Sequence, residues 1–377
     1  MKKTFVTLGL CLLAISPMWG QGLKDVVGKY FLIGTALNSS HINGTNTKEV
    51  ELVKEQFNAI VAENCMKPES LSPSEGVWNW DEADKFVQFG IDNNITVTGH
   101  TLLWHSQAAR WMFKDENGKL PNREVLIKRM RDYIHTVVGR YKGKIKGWDV
   151  INEAFLDNGD YRPSPWYRGI GPEYFELAFK FAHEADPNAE LYYNDYSMSN
   201  PKKREAVVKL IKRLKAAGCR IDAVGMQSHN GLDYPDMAEY EKSIQAFINA
   251  GVKVMVTELD INVLPNPEGF SGADISNNYE LQAKYNPYTK KLPKEVEEKF
   301  NARVLEHFKI YKKYADNILR VTWWGVSDGE SWLNGFPVRG RTNYPLLIDR
   351  KGKVKPVVKE IIKLFEEEKQ LITQDLV

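Results

Sequence analysis

Two glutamates in this chain of 377 residues occupy positions where a carboxylate pair could do chemistry. Glu153 closes the apolar, β-branched run of WDVINEAF (Trp148–Phe155), and Glu258 closes that of VKVMVTELDI (Val252–Ile261). One carboxylate at a strand end usually just meets solvent. Two facing a common cavity are different, because unlike surroundings can keep one protonated as an acid while the other stays ionised. Such a pair suits hydrolysis of a glycosidic bond. The competing reading is that one or both are structural ion-pair partners, and the elements that carry them decide between the two.

Short apolar runs rich in β-formers alternate with longer helical patterns along the whole chain. The strand candidates are Phe31–Leu37, Ala59–Glu63, Thr96–His100, Gly147–Asn152, Glu190–Asn194, Ile221–Gln227, Val252–Glu258 and Ile318–Trp324. Helical patterns separate them, among them Thr47–Phe57, Asp81–Asn93, Arg123–Tyr141, Lys202–Ala217, Met237–Asn249 and Glu295–Tyr314, and Val357–Glu368 closes the chain. Nearly continuous apolar strands imply a parallel sheet buried on both faces. Eight strand–helix units close most simply into a single (β/α)8 TIM barrel, an α/β fold spanning residues 23–370. An open doubly wound sheet would want a Gly-rich phosphate turn after its first strand, and GTALN (Gly34–Asn38) is not one.

A barrel builds its site at the carboxyl ends of its strands. Read in order, those ends carry Asn38, Glu63–Asn64, His100 with Trp104, Asn152–Glu153, Asn194–Asp195, Gln227 with His229, Glu258 with Asp260, and Trp324. Polar groups therefore gather at one end of every strand. On this frame Glu153, ending the fourth strand, and Glu258, ending the seventh, face each other across the mouth.

Composition narrows the partners. Net charge is +2 with acids and bases interspersed, which gives no footprint for nucleic acid. Residues 1–20 read as a signal peptide, with Lys2 and Lys3 ahead of an apolar run too short to span a bilayer and a cut near Gly20–Gln21. An exported protein, periplasmic or extracellular, with no membrane attachment after cleavage is expected. Beyond that segment two cysteines remain, Cys65 and Cys219, expected as buried free thiols rather than a disulfide framework. Neither HExxH nor a Cys/His cluster occurs, so no metal and no cofactor is expected.

Seven strand-end motifs occur in register: AENCMKPES (Ala62–Ser70), GHTLLWHSQ (Gly99–Gln107), WDVINEAF, LYYNDYS (Leu191–Ser197), VGMQSH (Val224–His229), VTELDI (Val256–Ile261) and TWWGVSDGESW (Thr322–Trp332). Together they closely resemble glycoside hydrolase family 10, the retaining endo-1,4-β-xylanases, over essentially the whole chain after the signal-like segment. The resemblance implies that Glu153 is the general acid/base and Glu258 the nucleophile, roles the residues alone leave unassigned. It implies that His229 orients the nucleophile with Asp260 behind it, and that Asn152 meets the sugar 2-hydroxyl. Asp149 is expected to tune Glu153. Glu63, Asn64, Lys67, His100, Trp104 and Gln107 match glycone-side positions that bind substrate, Gln227 is a further substrate-binding candidate, and Trp104, Trp324 and Trp332 would offer flat faces to sugar rings. Trp148 and Trp323 read as core, while Tyr196 and Arg162 are looser cleft candidates. His229 follows Gln227 by two, so alternation along one strand would turn both to one face.

The implied partners are xylan and xylo-oligosaccharides, acted on by a monomer. Xylose lacks the hydroxymethyl group that glucose carries at C5, and a cleft walled by Trp324, Trp332 and Gln107 would crowd glucose there. The alternatives are a retaining β-1,4-glucanase or mixed-specificity glycosidase, and a catalytically silent carbohydrate-binding protein. The last would be expected to have lost one of the carboxylates. The chain departs from the family pattern at Ala109, commonly Pro, and at Cys65, often Glu. A long stretch after the seventh strand, SGADISNNYELQAKYNPYTKKLP, borders the expected cleft, where Tyr279, Tyr285 and Tyr288 could extend it.

Overall fold

The computed structural model describes residues 20–367. The signal-like segment, apart from Gly20, and Glu368 at the end of the last expected helix lie outside the described residues. Nine strands are present among those described: β1 (Leu32–Leu37), β2 (Ala59–Ala62), β3 (Thr96–Leu103), β4 (Gly147–Asn152), β5 (Glu190–Asp195), β6 (Ala223–Met226), β7 (His229–Gly231), β8 (Lys253–Asn262) and β9 (Ile318–Trp323). Every ladder between them is parallel. β1 to β6 pair in sequence order, β6 pairs β8, β8 pairs β9, and β9 returns to β1. That circuit closes an eight-stranded barrel with no free edge, as expected of a (β/α)8 fold.

β7 is the exception. The sequence suggests one strand running from Ile221 to Gln227, with His229 on its continuation. Instead the chain breaks at Ser228, whose φ of +64° leaves the extended region. His229–Gly231 then lies as a separate short strand against the outer end of β8, with His229 opposite Asp260. Gln227 and His229 both reach the cleft, but through this break and not by alternation along one strand.

The helices form because each presents an apolar stripe to the sheet. In Arg123–Arg140 the residues Leu126, Met130, Tyr133, Ile134, Val137 and Val138 are buried, spaced three or four apart on one face. Each large apolar side chain so covered contributes about 1.5–3 kcal/mol. Asn122 caps that helix, accepting from Val125 N at 3.0 Å. The helices ending at Ala216 and Asn249 stop just before Gly218 and Gly251, where the sequence places their ends. Cys65 and Cys219 are free and buried, and Trp148 and Trp323 are core residues, as expected.

Candidate active site

Glu153 follows the last residue of β4 with φ of +57°, a left-handed conformation uncommon outside glycine. Neighbouring groups hold it there. Its N–H donates to Asn194 O at 2.9 Å, and its carbonyl accepts from Arg162 Nε at 2.8 Å. At the carboxylate, Oε2 accepts from Trp104 Nε1 and Oε1 from Gln227 Nε2, each at 2.8 Å. The side chain is buried against the acids Asp195 and Glu258. Burial is the largest cause that raises its pKa, those two charges add to it, and the Gln227 and Trp104 N–H groups oppose. The balance stands at about 7.

Glu258, inside β8, has the opposite surroundings. Its Oε1 accepts from Asn194 Nδ2 at 3.0 Å, and its Oε2 faces His229 Nε2 at 2.9 Å. His229 Nδ1 meets Asp260 Oδ2 at 3.0 Å, and Trp332 Nε1 donates to the same oxygen at 2.8 Å. Burial alone would push the His229 pKa down, but the carboxylates on either side raise it to about 10, so the ring is an imidazolium. Burial likewise pulls Glu258 upward, and His229, His100 and Lys67 outweigh it. The net effect holds Glu258 below the ordinary carboxylate value. One glutamate is thus poised to carry a proton near neutrality while the other stays ionised.

All ten substrate-binding candidates, with Glu153, His229 and Glu258, line one cavity of about 220 Å³ at the carboxyl ends of the strands. Asp260 lies behind His229. Lys67 Nζ donates to Asn64 Oδ1 at 3.0 Å and to Gln107 Oε1 at 2.9 Å, and stands 5.0 Å from the centre of the Trp104 ring. Trp324 sets its edge to His100, and Trp332 is stacked on one side by Phe336 at 4.4 Å. A second cavity of about 560 Å³ adjoins the first, sharing His229 and Ala273 with it.

Several positions depart from expectation. Asp149 does not serve Glu153: its Oδ2 meets His100 Nδ1 at 2.8 Å, and His100 Nε2 lies 4.0 Å from Glu258 Oε1. Asp149 therefore orients a group on the nucleophile's side. Tyr285 is buried and Tyr288 packs on the core, while Tyr279 sets its ring edge to Phe270. From that long segment it is Ala273 and Ile275 that line the cleft.

Asn194 was visible as a strand end but without a task. It donates to Glu258 and also to Asn152 Oδ1 at 2.9 Å, while Thr257 Oγ1 donates to its Oδ1 at 2.6 Å. Gly225 on β6 makes room for it, since a Cβ there would lie 2.3 Å from Asn194 Oδ1. Lys203 gave no signal at all, sitting in the basic run PKKREAVVK (Pro201–Lys209). It is fully buried, with Nζ 3.2 Å from Asp195 Oδ1 and 2.9 Å from Asp157 Oδ1.

The family model for Glycosyl hydrolase family 10 matches residues 22–364. The chain belongs to glycoside hydrolase family 10. It is 61% identical over 367 residues to endo-1,4-beta-xylanase A of Xylanibacter ruminicola, covering 97% of this chain and 100% of that protein. It is 41% identical over 342 residues to endo-1,4-beta-xylanase A of Thermotoga maritima, covering 88% of this chain but 30% of that longer protein. Among solved structures, a GH10 endoxylanase retrieved from a sugarcane soil metagenome superposes with a TM-score of 0.89 at 45% identity, covering 91% of this chain and all of the other.

Proposed function

We infer that this family 10 hydrolase is an endo-1,4-β-xylanase that cleaves internal bonds of xylan with retention, using Glu258 as nucleophile and Glu153 as acid/base. The observation that carries the reading is the divergent environment of the two glutamates, one raised to about 7 and one depressed, within one cleft. Glu258 Oε attacks the anomeric carbon as the bond to the leaving oxygen breaks, and Glu153 gives that oxygen its proton. The product of this step is a glycosyl ester on Glu258. Glu153, now a carboxylate, takes a proton from water as the water oxygen attacks the anomeric carbon and releases Glu258. His229 and Asn194 stabilise the carboxylate at the start and end of the cycle, and Asn152 is placed for the sugar 2-hydroxyl, a bond that strengthens toward an oxocarbenium-like transition state.

Lys67, Asn64, Gln107 and Glu63 supply hydroxyl-binding groups on the side that keeps the cleaved sugar, while Trp324, Trp332 and Gln107 wall the same cavity and would crowd a hydroxymethyl group at C5. Export as a monomer after cleavage near Gly20–Gln21 completes the proposal. The direct test compares wild type with Glu258→Ala on aryl β-xylobioside. The variant should lose hydrolysis and regain turnover in azide, giving the α-linked azide. Xylanase activity persisting in the variant without azide would end this assignment of roles. A higher kcat/KM on aryl cellobioside than on aryl xylobioside would reverse the substrate.

A further inference from the structure

The segment from Val263 to Pro293, between β8 and the helix Lys294–Lys313, crosses the barrel mouth as a strap. It is fixed at its base: Arg341 Nη1 donates to Pro265 O at 3.2 Å, and Tyr279 N to Pro337 O at 2.9 Å. Phe270 packs its ring edge on Phe336, which itself stacks on Trp332. The middle of the strap is pinned on the far side of the mouth. Gly272, with φ of +77°, lies against the Tyr196 ring so closely that a Cβ would come 2.9 Å from Cε2. Asp274 Oδ2 then faces Arg162 Nη1 at 3.6 Å.

Arg162 is the hub of this arrangement. Its Nε holds the Glu153 carbonyl and its Nη2 donates to Tyr196 OH at 2.9 Å, so Asp274 shares a guanidinium with the backbone of the acid/base. The next residue, Ile275, lines the cavity that holds Glu153 yet is 40% exposed, an apolar side chain with a face left uncovered. In the order of strands around the barrel, Glu63, Asn64, Lys67 and Gln107 follow β2 and β3. Tyr196 and the strap follow β5 and β8, the opposite part of the mouth. With the retained sugar over the former group, the leaving sugar lies under the strap. Its C–H face is apolar, and Ile275 is the apolar surface on offer.

We propose that Ile275 is a specificity-determining contact for the leaving-group sugar, and that Asp274 is a positioning residue that sets Ile275 and the Glu153 loop together through Arg162. The proposal rests on the xylanase reading, which fails separately: wild type would then cleave neither substrate of the test. That test is the ratio of kcat/KM on xylohexaose to kcat/KM on 4-nitrophenyl β-xylobioside, whose leaving group is an activated aryl alcohol and not a sugar. Ile275→Ala and Asp274→Ala should each lower the ratio about fivefold or more. Asp274→Glu, which keeps the charge and has 3.6 Å to close, should hold it within about twofold of wild type. A ratio unchanged in either alanine variant overturns the proposal, as does a Glu variant that behaves like Asp274→Ala. A general loss of packing lowers both activities together and leaves the ratio where it was, so it counts against the proposal too.

Discussion

Replacing His229 with Asn tests the electrostatic half of the mechanism, because it removes a cation without opening a large void. The imidazole stands at a pKa of about 10 where an isolated ring has 6.5, which corresponds to about 5 kcal/mol of net preference for the charged ring. Asp260 and Glu258 supply that preference between them. The part made with Glu258 is one hydrogen bond between charged groups at 2.9 Å, worth about 2–3 kcal/mol. The sign follows from the charge: with His229 neutralised, burial of Glu258 is less opposed, so its pKa rises. The acidic limb of kcat/KM, below 4.5 in wild type, should therefore move upward. The second effect is kinetic. In hydrolysis of the glycosyl ester the Glu258 carboxylate is the leaving group, and the imidazolium stabilises the charge that develops on it. With an activated aryl xylobioside that step limits turnover, so kcat should fall about 30- to 150-fold and a burst of aryl alcohol should precede the steady state. The assay is a stopped-flow record of aryl release across pH 3 to 9. An acidic limb that stays in place with kcat within about threefold of wild type would refute the reasoning.

Two further perturbations probe the other carboxylate and the buried network behind it. Gln227→Leu removes an N–H that favours ionised Glu153, so the pKa must rise. The basic limb of kcat/KM, near 7 in wild type, should move upward by about one to two pH units, and a downward move would contradict the assignment. Lys203→Met leaves Asp195 fully buried without its cation. Loss of one partner from such a pair costs about 3–5 kcal/mol, read as a fall in the urea midpoint at unchanged slope; a midpoint that holds would show that the pair is not needed.

Much of this site was legible because a barrel collects its chemistry at known positions. Glu63, His100, Asn152, Glu153, Gln227, Glu258 and Trp324 each sit at or next to the end of an apolar run, and that placement can be read from alternation alone. What could not be read depends on breaks in regular structure or on who faces whom. The break at Ser228 is a backbone conformation no residue there announces, so the separate strand carrying His229 was invisible. Asp149 and Asn194 lie on well-placed strands, but strand position fixes a direction and not a partner. Asp149 met His100, and Asn194 met Glu258 and Asn152. Lys203 reads as one more solvated lysine in a basic run, and only the packed fold makes it the counter-ion of Asp195. The strap misled for a related reason: its three tyrosines look like sugar platforms, yet two pack inward or onto the core and the third meets Phe270. The cleft is lined instead by Ala273 and Ile275, which no motif marks.

The central claim is that Glu258 becomes covalently bonded to the sugar while Glu153 moves the proton. It is tested most directly by incubating the enzyme with 2,4-dinitrophenyl 2-deoxy-2-fluoro-β-xylobioside and mapping the adduct by peptide mass spectrometry. The fluorine slows both steps while the aryl leaving group keeps the first one accessible, so the ester accumulates. The account predicts one fluoroxylobiosyl group per chain, on the peptide that contains Glu258, and recovery of activity as it hydrolyses. An adduct on the Glu153 peptide, or aryl release with inversion at the anomeric carbon and no adduct, would contradict it.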